Sequence, residues 1–262
     1  MLRKLRRGAG LSTRDLAQAC SWMTSKVTTI ENGRQDPTHY DITAWTRATS
    51  STHAAPQLHD QLLLIEALFR DWRGQAGTAT QRRWLELEAT ARQLRVFEPH
   101  FVPGLLQTAA YARLRLLAHA RVHHPIDNVD DAVALRLRRQ VILQRAEVEF
   151  HFLLTEFGLR SGAYGDPRVM AEQIEKISAQ LGDNRVRVGV LPLTAEWDAN
   201  VDHGFWMFER SHVLVETVTA ELRLNRPEEI DTYWRVFHLL ESKAIYGDDA
   251  RTLLRNVLNW HR

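Results

Sequence analysis

Cysteine is nearly absent from this sequence, which contains only Cys20 among its 262 residues. A single thiol excludes an intrachain disulfide and any metal site that is built from several thiolates. Such cysteine usage is typical of proteins in a reducing compartment, and we expect cytoplasmic localisation.

Long apolar runs are absent as well. No uninterrupted apolar stretch approaches the ~18 residues that a helix needs to cross a bilayer. Residues 1–16 carry the positive charge of a signal peptide but lack the apolar segment that completes one. We therefore expect an intracellular protein with no membrane partner.

Motifs for catalysis and metal binding are also missing. Residues 196–204 contain three carboxylates and a histidine that could supply a general base, but no nucleophile or glycine-rich phosphate loop accompanies them. His119 and His123, with His124 beside them, have the spacing of helical metal ligands. No acidic residue lies between them and Pro125 ends the helix, which favours a surface cluster. We expect no catalytic residue, no metal and no cofactor, and therefore not an enzyme.

Charge is unevenly distributed along the chain. Residues 1–35 hold seven basic and two acidic residues, a balance of +5, whereas the remainder holds 27 basic and 30 acidic residues, a balance of −3. A basic head on a weakly acidic body is expected when only the head meets a polyanion. A solvated basic surface is the alternative explanation of the same counts.

Apolar periodicity and breaker residues predict two domains, over 1–75 and 76–262, joined at a small polar hinge, 73–81. The predicted fold class is α+β: an all-α domain of five helices, then a mixed α/β domain with a small sheet and several helices. In the second domain, predicted strands lie at 148–156 and 186–193 and in the segments GFWMFE, HVLVETV and AELRLN, and predicted helices at 82–94, 130–145, 169–181, 227–246 and 249–259.

Residues 11–38, LSTRDLAQACSWMTSKVTTIENGRQDPT, contain two short helical patterns separated by a tight turn. Leu16 and Ala17 of the first pattern and Val27 and Ile30 of the second face inward and brace the pair. This is the helix-turn-helix arrangement, in which the second helix enters the DNA major groove by its N-terminus. The spacing alone is equally consistent with two ordinary helices of a bundle.

The outward side chains of the second helix are polar, and most are short enough to approach base edges. Serine and threonine hydroxyls both donate and accept hydrogen bonds, and the threonine methyl suits the thymine methyl. These outward residues are Thr24, Ser25, Lys26, Thr28 and Thr29. They predict double-stranded DNA as the partner.

The same segment closely resembles the Xre/Cro-type helix-turn-helix family. The family pattern has a leucine-serine pair, then leucine-alanine, a turn, a serine-rich helix and an isoleucine-glutamate-asparagine-glycine-arginine run. Its positions are occupied here by Leu11, Ser12, Leu16, Ala17, Ser25, Val27, Ile30, Glu31, Asn32, Gly33, Arg34 and Pro37.

This resemblance implies roles for individual residues. The start of the second helix reads bases, the start of the first contacts phosphate or base, and the loop after the second helix contacts the DNA backbone. These positions hold Thr24, Ser25 and Thr28 for base reading, Thr13 at the first helix, and Asn32 and Arg34 in the loop. The predicted DNA contacts also include Arg14, Lys26 and Thr29, and we expect Lys26 and Arg34 to supply affinity rather than sequence preference.

The rest of the chain is similar to WhiJ-like regulators of actinomycetes, which join an Xre-type head to a C-terminal domain of unknown function. The similarity lies in order along 97–113, 136–143, 152–160 and 186–193, with the run PGLLQT as its most distinctive part. It implies an antitoxin-like regulator that pairs with a small partner protein.

Two segments of the second domain are predicted partner or ligand sites. Phe101, Leu105 and Gln107 belong to FVPGLLQT, which either lines a pocket with Phe101 and Leu105 as its floor or forms a core loop locked by prolines. Trp197 and Asp198 belong to the acidic segment EWDANVDHG.

The function predicted from the sequence is a sequence-specific DNA-binding transcriptional regulator, with a C-terminal domain for signal input or oligomerisation. One head buries too little surface for high specificity, so we expect a homodimer on two half-sites. Trp234, Phe237 and Leu240 share one helix face that either supplies the dimer surface or covers the sheet. The alternatives are an antitoxin-like protein that binds a small partner, with DNA binding for autoregulation, and a ligand-sensing module.

Overall fold

The computed structural model describes residues 1–71, 77–123, 125–126, 128–161, 166–182, 185–198 and 200–261. They form two compact units, Met1–Phe69 and Arg70–Arg262, each of which is described by itself. Of the predicted hinge, residues 73–76 lie outside the described residues, whereas Thr78 to Gln81 already belong to a helix. No helix in these described ranges has both the length and the apolar composition that a membrane crossing requires.

The N-terminal unit is all-α and has five α-helices, as predicted. They are α1 (Leu2–Gly8), α2 (Thr13–Ala19), α3 (Thr24–Glu31), α4 (His39–Ala48) and α5 (Ala55–Leu68), with a 3-10 turn at Thr52–Ala54. Capping boxes begin two of them: the Ser12 hydroxyl accepts from the Asp15 backbone N–H, and Thr38 does the same for Asp41. These side chains satisfy backbone donors that a helix start leaves open.

The core of this unit forms where α2, α3 and α4 meet. Its members are the buried Leu16, Ala17, Val27, Ile30 and Trp45. The Trp45 ring is fully buried, and its Nε1 donates to the Leu2 carbonyl oxygen at 3.2 Å, which ties α4 to α1. The inward positions predicted for the helix pair are therefore confirmed.

The C-terminal unit contains a mixed sheet, which confirms the α+β class. Its strands are β1 (Phe69–Asp71), at the boundary between the units, β2 (Gln93–Glu98), β3 (Glu149–Thr155), β4 (Val186–Leu191), β5 (Phe205–Phe208), β6 (His212–Glu216) and β7 (Ala220–Leu224). The order across the sheet is β1-β7-β6-β5-β2-β3-β4. Strands β2, β3 and β4 run parallel, whereas β2–β5, β5–β6 and β6–β7 are antiparallel pairs.

Helices cover both faces of the sheet. They are α6 (Thr78–Ala89), α7 (Ala109–Val122), α8 (Val129–Arg139), α9 (Glu156–Arg160), α10 (Pro167–Gln180), α11 (Pro227–Lys243) and α12 (Gly247–Trp260). Residues of α6, α7, α10 and α12 pack with Val96 and Phe152 on one face, whereas α11 packs with Phe97 and Leu153 on the other. Neighbouring strand residues therefore enter opposite cores, as the alternation of a strand requires.

The prediction of one helix over 82–94 was wrong. Helix α6 ends at Ala89, and residues 93–98 form β2 in the middle of the sheet. Leu94, Val96 and Phe97 are all fully buried, and the alternation of polar and apolar residues covers only Gln93 to Val96, which is too short to identify the strand by periodicity. Leu94 also continues the helical spacing of α6, which explains the error.

The helix predicted over 130–145 was also too long. Helix α8 ends at Arg139, and residues 140–144 continue as a 3-10 helix. The other predicted elements exist, with ends that differ from the structure by at most three residues. Phe237 and Leu240 are buried against the sheet, so the α11 face that also carries Trp234 covers the sheet and is not a free dimer surface.

Candidate nucleic-acid interface

The turn between α2 and α3 has a fixed geometry. Ser21 adopts a left-handed backbone with φ of 56°, and the Trp22 N–H donates to the Ala17 carbonyl oxygen at 2.8 Å. The half-buried Trp22 ring packs against Trp45 with centroids 6.2 Å apart. The turn therefore holds α3 at a defined angle to α2, which is what insertion into a groove requires.

The outward face of α3 presents the predicted hydroxyls. Thr24, Ser25 and Thr28 are exposed, whereas Thr29 is half-buried. Thr28 and Thr29 donate to carbonyl oxygens one turn earlier, at 3.1 and 2.7 Å. The hydroxyls of Thr24 and Ser25 have no hydrogen bond within the described residues, so both are available to a ligand.

Lys26, a predicted DNA contact, is engaged within the fold. Its Nζ lies 2.6 Å from Asp41 Oδ1 and 4.4 Å from the centroid of the Trp22 ring. Burial raises the pKa of the Asp41 carboxyl, but hydrogen bonds from Lys26 and Thr38 outweigh it and leave the pKa below its usual value. The ion pair between Lys26 and Asp41 therefore joins α3 to α4 and is present without DNA.

The end of α3 is anchored by an ion-pair cluster that joins Arg3 and Arg6 to Glu31. Arg6 Nε and Nη2 donate to the two Glu31 carboxylate oxygens at 2.6 and 2.9 Å, and Arg3 Nε donates to Glu31 at 3.1 Å. Arg3 also donates to Asn32 Oδ1 at 2.6 Å, so this predicted backbone contact already has one partner. The hydrogen bond from Arg6 lowers the pKa of Glu31.

Four exposed basic side chains around the helix pair are unpaired within the described residues; we call them the open cations. Lys4, Arg7, Arg14 and Arg34 are exposed and form no ion pair with any carboxylate in the described part of the chain. Arg14 lies in the first turn of α2, beside the half-buried Thr13, and Arg34 lies three residues after the end of α3. Positive charge is therefore available next to the exposed hydroxyls of α3.

The partner or ligand residues predicted in the C-terminal unit are not all at one place. Phe101 and Gln107 line a cavity, which is described below. Leu105, expected on the pocket floor, is 3% exposed and packs in the core instead. Trp197 packs edge-on against Phe97, and Asp198 forms an ion pair with Lys243 at 2.7 Å.

Comparison with known families assigns both parts of the chain. A family model described as a domain of unknown function, DUF5753, matches residues 81–256. The chain belongs to the DUF5753 family. A second model, described as a helix-turn-helix domain, matches residues 1–55, and confirms the predicted helix-turn-helix at the N-terminus. The finer Xre/Cro-type and WhiJ-like resemblances stay predictions.

Comparison with individual proteins adds little. A solved structure of TrmBL2, described as an archaeal chromatin protein that shows a novel mode of DNA binding, aligns with a TM-score of 0.32 and 12% sequence identity. The alignment covers 90% of this chain and 88% of that chain. A TM-score this low supports no conclusion about the DUF5753 protein. No curated protein matches the chain.

Sequence analysis missed the structural roles of Arg6 and Glu31. Arg6 is one of the seven basic residues of the head, yet it is only 7% exposed. Its charge is neutralised by the ion pair with Glu31, so Arg6 does not contribute to a DNA-binding surface. A signal was present, since Glu31 is one of only two acidic residues among the first 35 and must neutralise a nearby cation if buried.

Proposed function

We propose that this DUF5753 protein is a sequence-specific DNA-binding transcriptional regulator. The observation that carries the proposal is the exposed, unengaged hydroxyl pair of Thr24 and Ser25 at the N-terminal end of α3. The apolar face of α3 packs in the core of the unit and its exposed face is polar. Such a helix suits the major groove, where hydroxyls can donate hydrogen bonds to base edges or accept hydrogen bonds from them.

The proposed contacts divide into two kinds. Thr24, Ser25 and Thr28 read bases, while Arg14 and Arg34 contact phosphates on either side. Thr13, Thr29 and Asn32 lie beside these groups and add backbone contacts. Lys26 contributes mainly by holding α3 in place, because its amino group is bound to Asp41.

The test compares two single substitutions in the full chain on two DNAs. A cognate site is first selected from random duplexes, and affinities are then measured by fluorescence anisotropy at one fixed salt concentration. Thr24→Ala should weaken the cognate site by about 1–3 kcal/mol and leave random DNA nearly unchanged, whereas Arg34→Ala should weaken both about equally. Failure to select any site from random duplexes would contradict the proposal itself, and identical behaviour of the two variants would contradict the division of roles.

We also propose that the protein acts as a homodimer and without catalysis. Two helix-turn-helix heads on one face of B-DNA must be about 34 Å apart, so a second interface has to set their distance. The C-terminal unit, as the larger one, is the proposed source of that interface. Light scattering of the full chain at micromolar concentration should give twice the 30.2 kDa monomer mass.

A monomeric result would favour the alternative of an antitoxin-like regulator, in which a small partner protein completes the assembly. Affinity purification of the tagged full chain from its host separates the two possibilities. The dimer proposal expects only this chain in the purified fraction, whereas a stoichiometric small protein would support the alternative.

A further inference from the structure

The DUF5753 domain contains a cavity of about 610 Å³ between α6, α7 and α8 and the ends of β2 and β6. This volume lies in the range of small-molecule sites, about 300–1,000 Å³. Trp84, Trp206 and Phe101 supply aromatic surface, and the centroids of the two tryptophan rings are 5.3 Å apart. The cavity therefore has both the size and the apolar wall of a ligand site.

Two carboxyl groups in this cavity have no hydrogen-bond or ion-pair partner among the residues that the structure describes. Glu98 ends β2 and Glu216 ends β6, and neither forms a hydrogen bond or ion pair through its side chain within the described residues. The neighbouring Glu88 and Glu221 are paired with Arg139 and Arg83. Glu88 and Glu221 are thus neutralised by arginines beside the cavity, whereas the carboxyl groups of Glu98 and Glu216 are available to a ligand in it.

Gly204 leaves room for the Glu98 side chain at the cavity wall. A Cβ atom at this position would lie 3.1 Å from the Glu98 carboxyl carbon and 2.9 Å from the Phe97 carbonyl oxygen. The contact with the Phe97 carbonyl oxygen is too short for a Cβ atom unless the backbone shifts, and the Glu98 carboxyl group would also have to move by a few tenths of an ångström. The glycine therefore allows the carboxyl group to lie along the lining.

Arg136 is a cation that faces the same cavity and forms no ion pair within the described part of the chain. Its Nε and Nη1 donate to the amide oxygens of Gln81 and Gln107, at 3.2 and 2.9 Å. Neutral amides orient the guanidinium but leave its charge uncompensated. Burial and the nearby Arg139 lower the pKa of Arg136 to about 9. Arg139, in contrast, is neutralised by Glu88.

The opposite charges are close enough to influence each other but are not joined. The Glu216 side chain is exposed; Glu221 raises its pKa and Arg136 lowers it, yet no ion pair joins Arg136 to Glu216. Burial, together with Glu216, raises the pKa of Glu98 to about 8. Glu98 therefore keeps its proton at neutral pH, whereas the exposed Glu216 is in contact with solvent. A cationic group of a ligand beside Glu98 favours its carboxylate form, and an anionic group beside Arg136 compensates the charge of the guanidinium.

We propose that this cavity binds a small zwitterion of the amino-acid class, with its amino group at Glu98 and Glu216 and its carboxylate at Arg136. The apolar part of the ligand packs against the Trp84 and Trp206 rings. A metal ion fits less well, because the described residues contain no group of three possible metal ligands and Arg136 repels cations. The proposal goes beyond DNA binding and stands on the cavity alone.

The experiment titrates the full chain with the twenty proteinogenic amino acids and follows heat release by calorimetry. Each amino acid that binds is retested as its amide, which lacks the carboxylate, and as its N-acetyl derivative, which lacks the charged amino group. At least one free amino acid should bind, and each capped form should bind roughly 10- to 100-fold more weakly. If no amino acid binds at millimolar concentration, or if capping leaves affinity unchanged, the proposal is wrong.

Substitutions then assign each end of the ligand. Glu98→Gln should weaken the free amino acid but not its N-acetyl form, and Arg136→Gln should weaken the free amino acid but not its amide. Glu149→Gln, on the exposed start of β3 outside the cavity, is the matched control and should change nothing. Arg136→Lys preserves the charge, and partial recovery of affinity shows that loss in Arg136→Gln is not a folding defect.

Equal effects of Glu98→Gln and Glu149→Gln would overturn the assignment of the amino group. DNA affinity is measured separately on the same samples. Loss of ligand binding with intact DNA binding, or the reverse, therefore distinguishes failure of this proposal from failure of the proposed function.

Discussion

Charged residues of the two units fall into those that the fold pairs and those that it leaves open. Arg6 with Glu31, Lys26 with Asp41 and Arg139 with Glu88 are partly or fully buried pairs that join separate helices. Arg34 and Arg136 are cations of the second kind. Breaking one of the buried ion pairs lowers the stability of the fold, whereas the unpaired cations are available to bind a ligand.

The Arg6–Glu31 pair provides a prediction about stability. Glu31→Ala leaves Arg6 buried without its carboxylate, and loss of one partner of a buried pair costs about 3–5 kcal/mol. Amide hydrogen exchange of the full chain should show faster exchange in α1 and α3. The exposed Arg7→Ala is the control and should leave the same amides unchanged; protection of α3 that persists in Glu31→Ala would refute the anchoring role.

Glu98 provides a prediction about pH. The unfolded chain loses the Glu98 proton near the ordinary pKa of 4.5, but the folded chain keeps it until about pH 8. Folding therefore binds a proton between these values, and the Glu98 contribution to stability becomes less favourable as pH rises through this window. Glu216, which raises this pKa, and Arg115, which lowers it, face the same carboxyl.

The measurement is thermal unfolding of the full chain and of Glu98→Gln across this window. The variant lacks the titration, so its stability relative to the unsubstituted chain should rise from about pH 5 to about pH 8 and stay constant above. A difference that does not depend on pH would show that the Glu98 pKa is ordinary.

At the scale of the element, different residues of the helix pair serve the stability of the unit and the recognition of DNA. Ser12→Ala removes the cap of α2 and should lower the stability of the N-terminal unit by about 1 kcal/mol. Ser25→Ala, an identical change on the exposed face of α3, should leave stability unchanged and weaken cognate DNA. Chemical denaturation and anisotropy on both variants measure this; a loss of stability in Ser25→Ala would mean that its hydroxyl serves the fold.

The elements were predictable to different degrees. The five N-terminal helices and the terminal helices of the second unit have one covered face, so their apolar periodicity is visible in the sequence. Strand β2 and the end of α8 were not predicted correctly. Strand β2 has only six residues, and its apolar positions also fit the helical spacing that continues from α6, so this short segment does not distinguish a strand from a helix.

At the scale of the whole molecule, the open cations predict how DNA binding depends on salt. Lys4, Arg7, Arg14 and Arg34 of one head can neutralise about four phosphates, and each contributes a slope of about −0.9 in log affinity against log salt concentration. A single head should thus give a slope of about −3.6, and a dimer about twice that. Arg14→Ala and Arg34→Ala should each reduce the slope by about one per head, and an affinity that does not change with salt would exclude phosphate contact by these residues.

The sequence by itself determined the helix-turn-helix, the α+β class and the basic head, because caps, breakers, periodicity and charge counts are local properties of the chain. Only the tertiary structure decided which charges are paired and which remain open. Arg6 and Glu31 belong to different helices, and Glu98 and Glu216 lie 118 positions apart and meet at one cavity only through the strand order. Such encounters depend on packing between distant segments; the scarcity of acidic residues in the head indicates that Glu31 pairs with a cation, but no local pattern identifies Arg6 as the partner or brings Glu98 to Glu216.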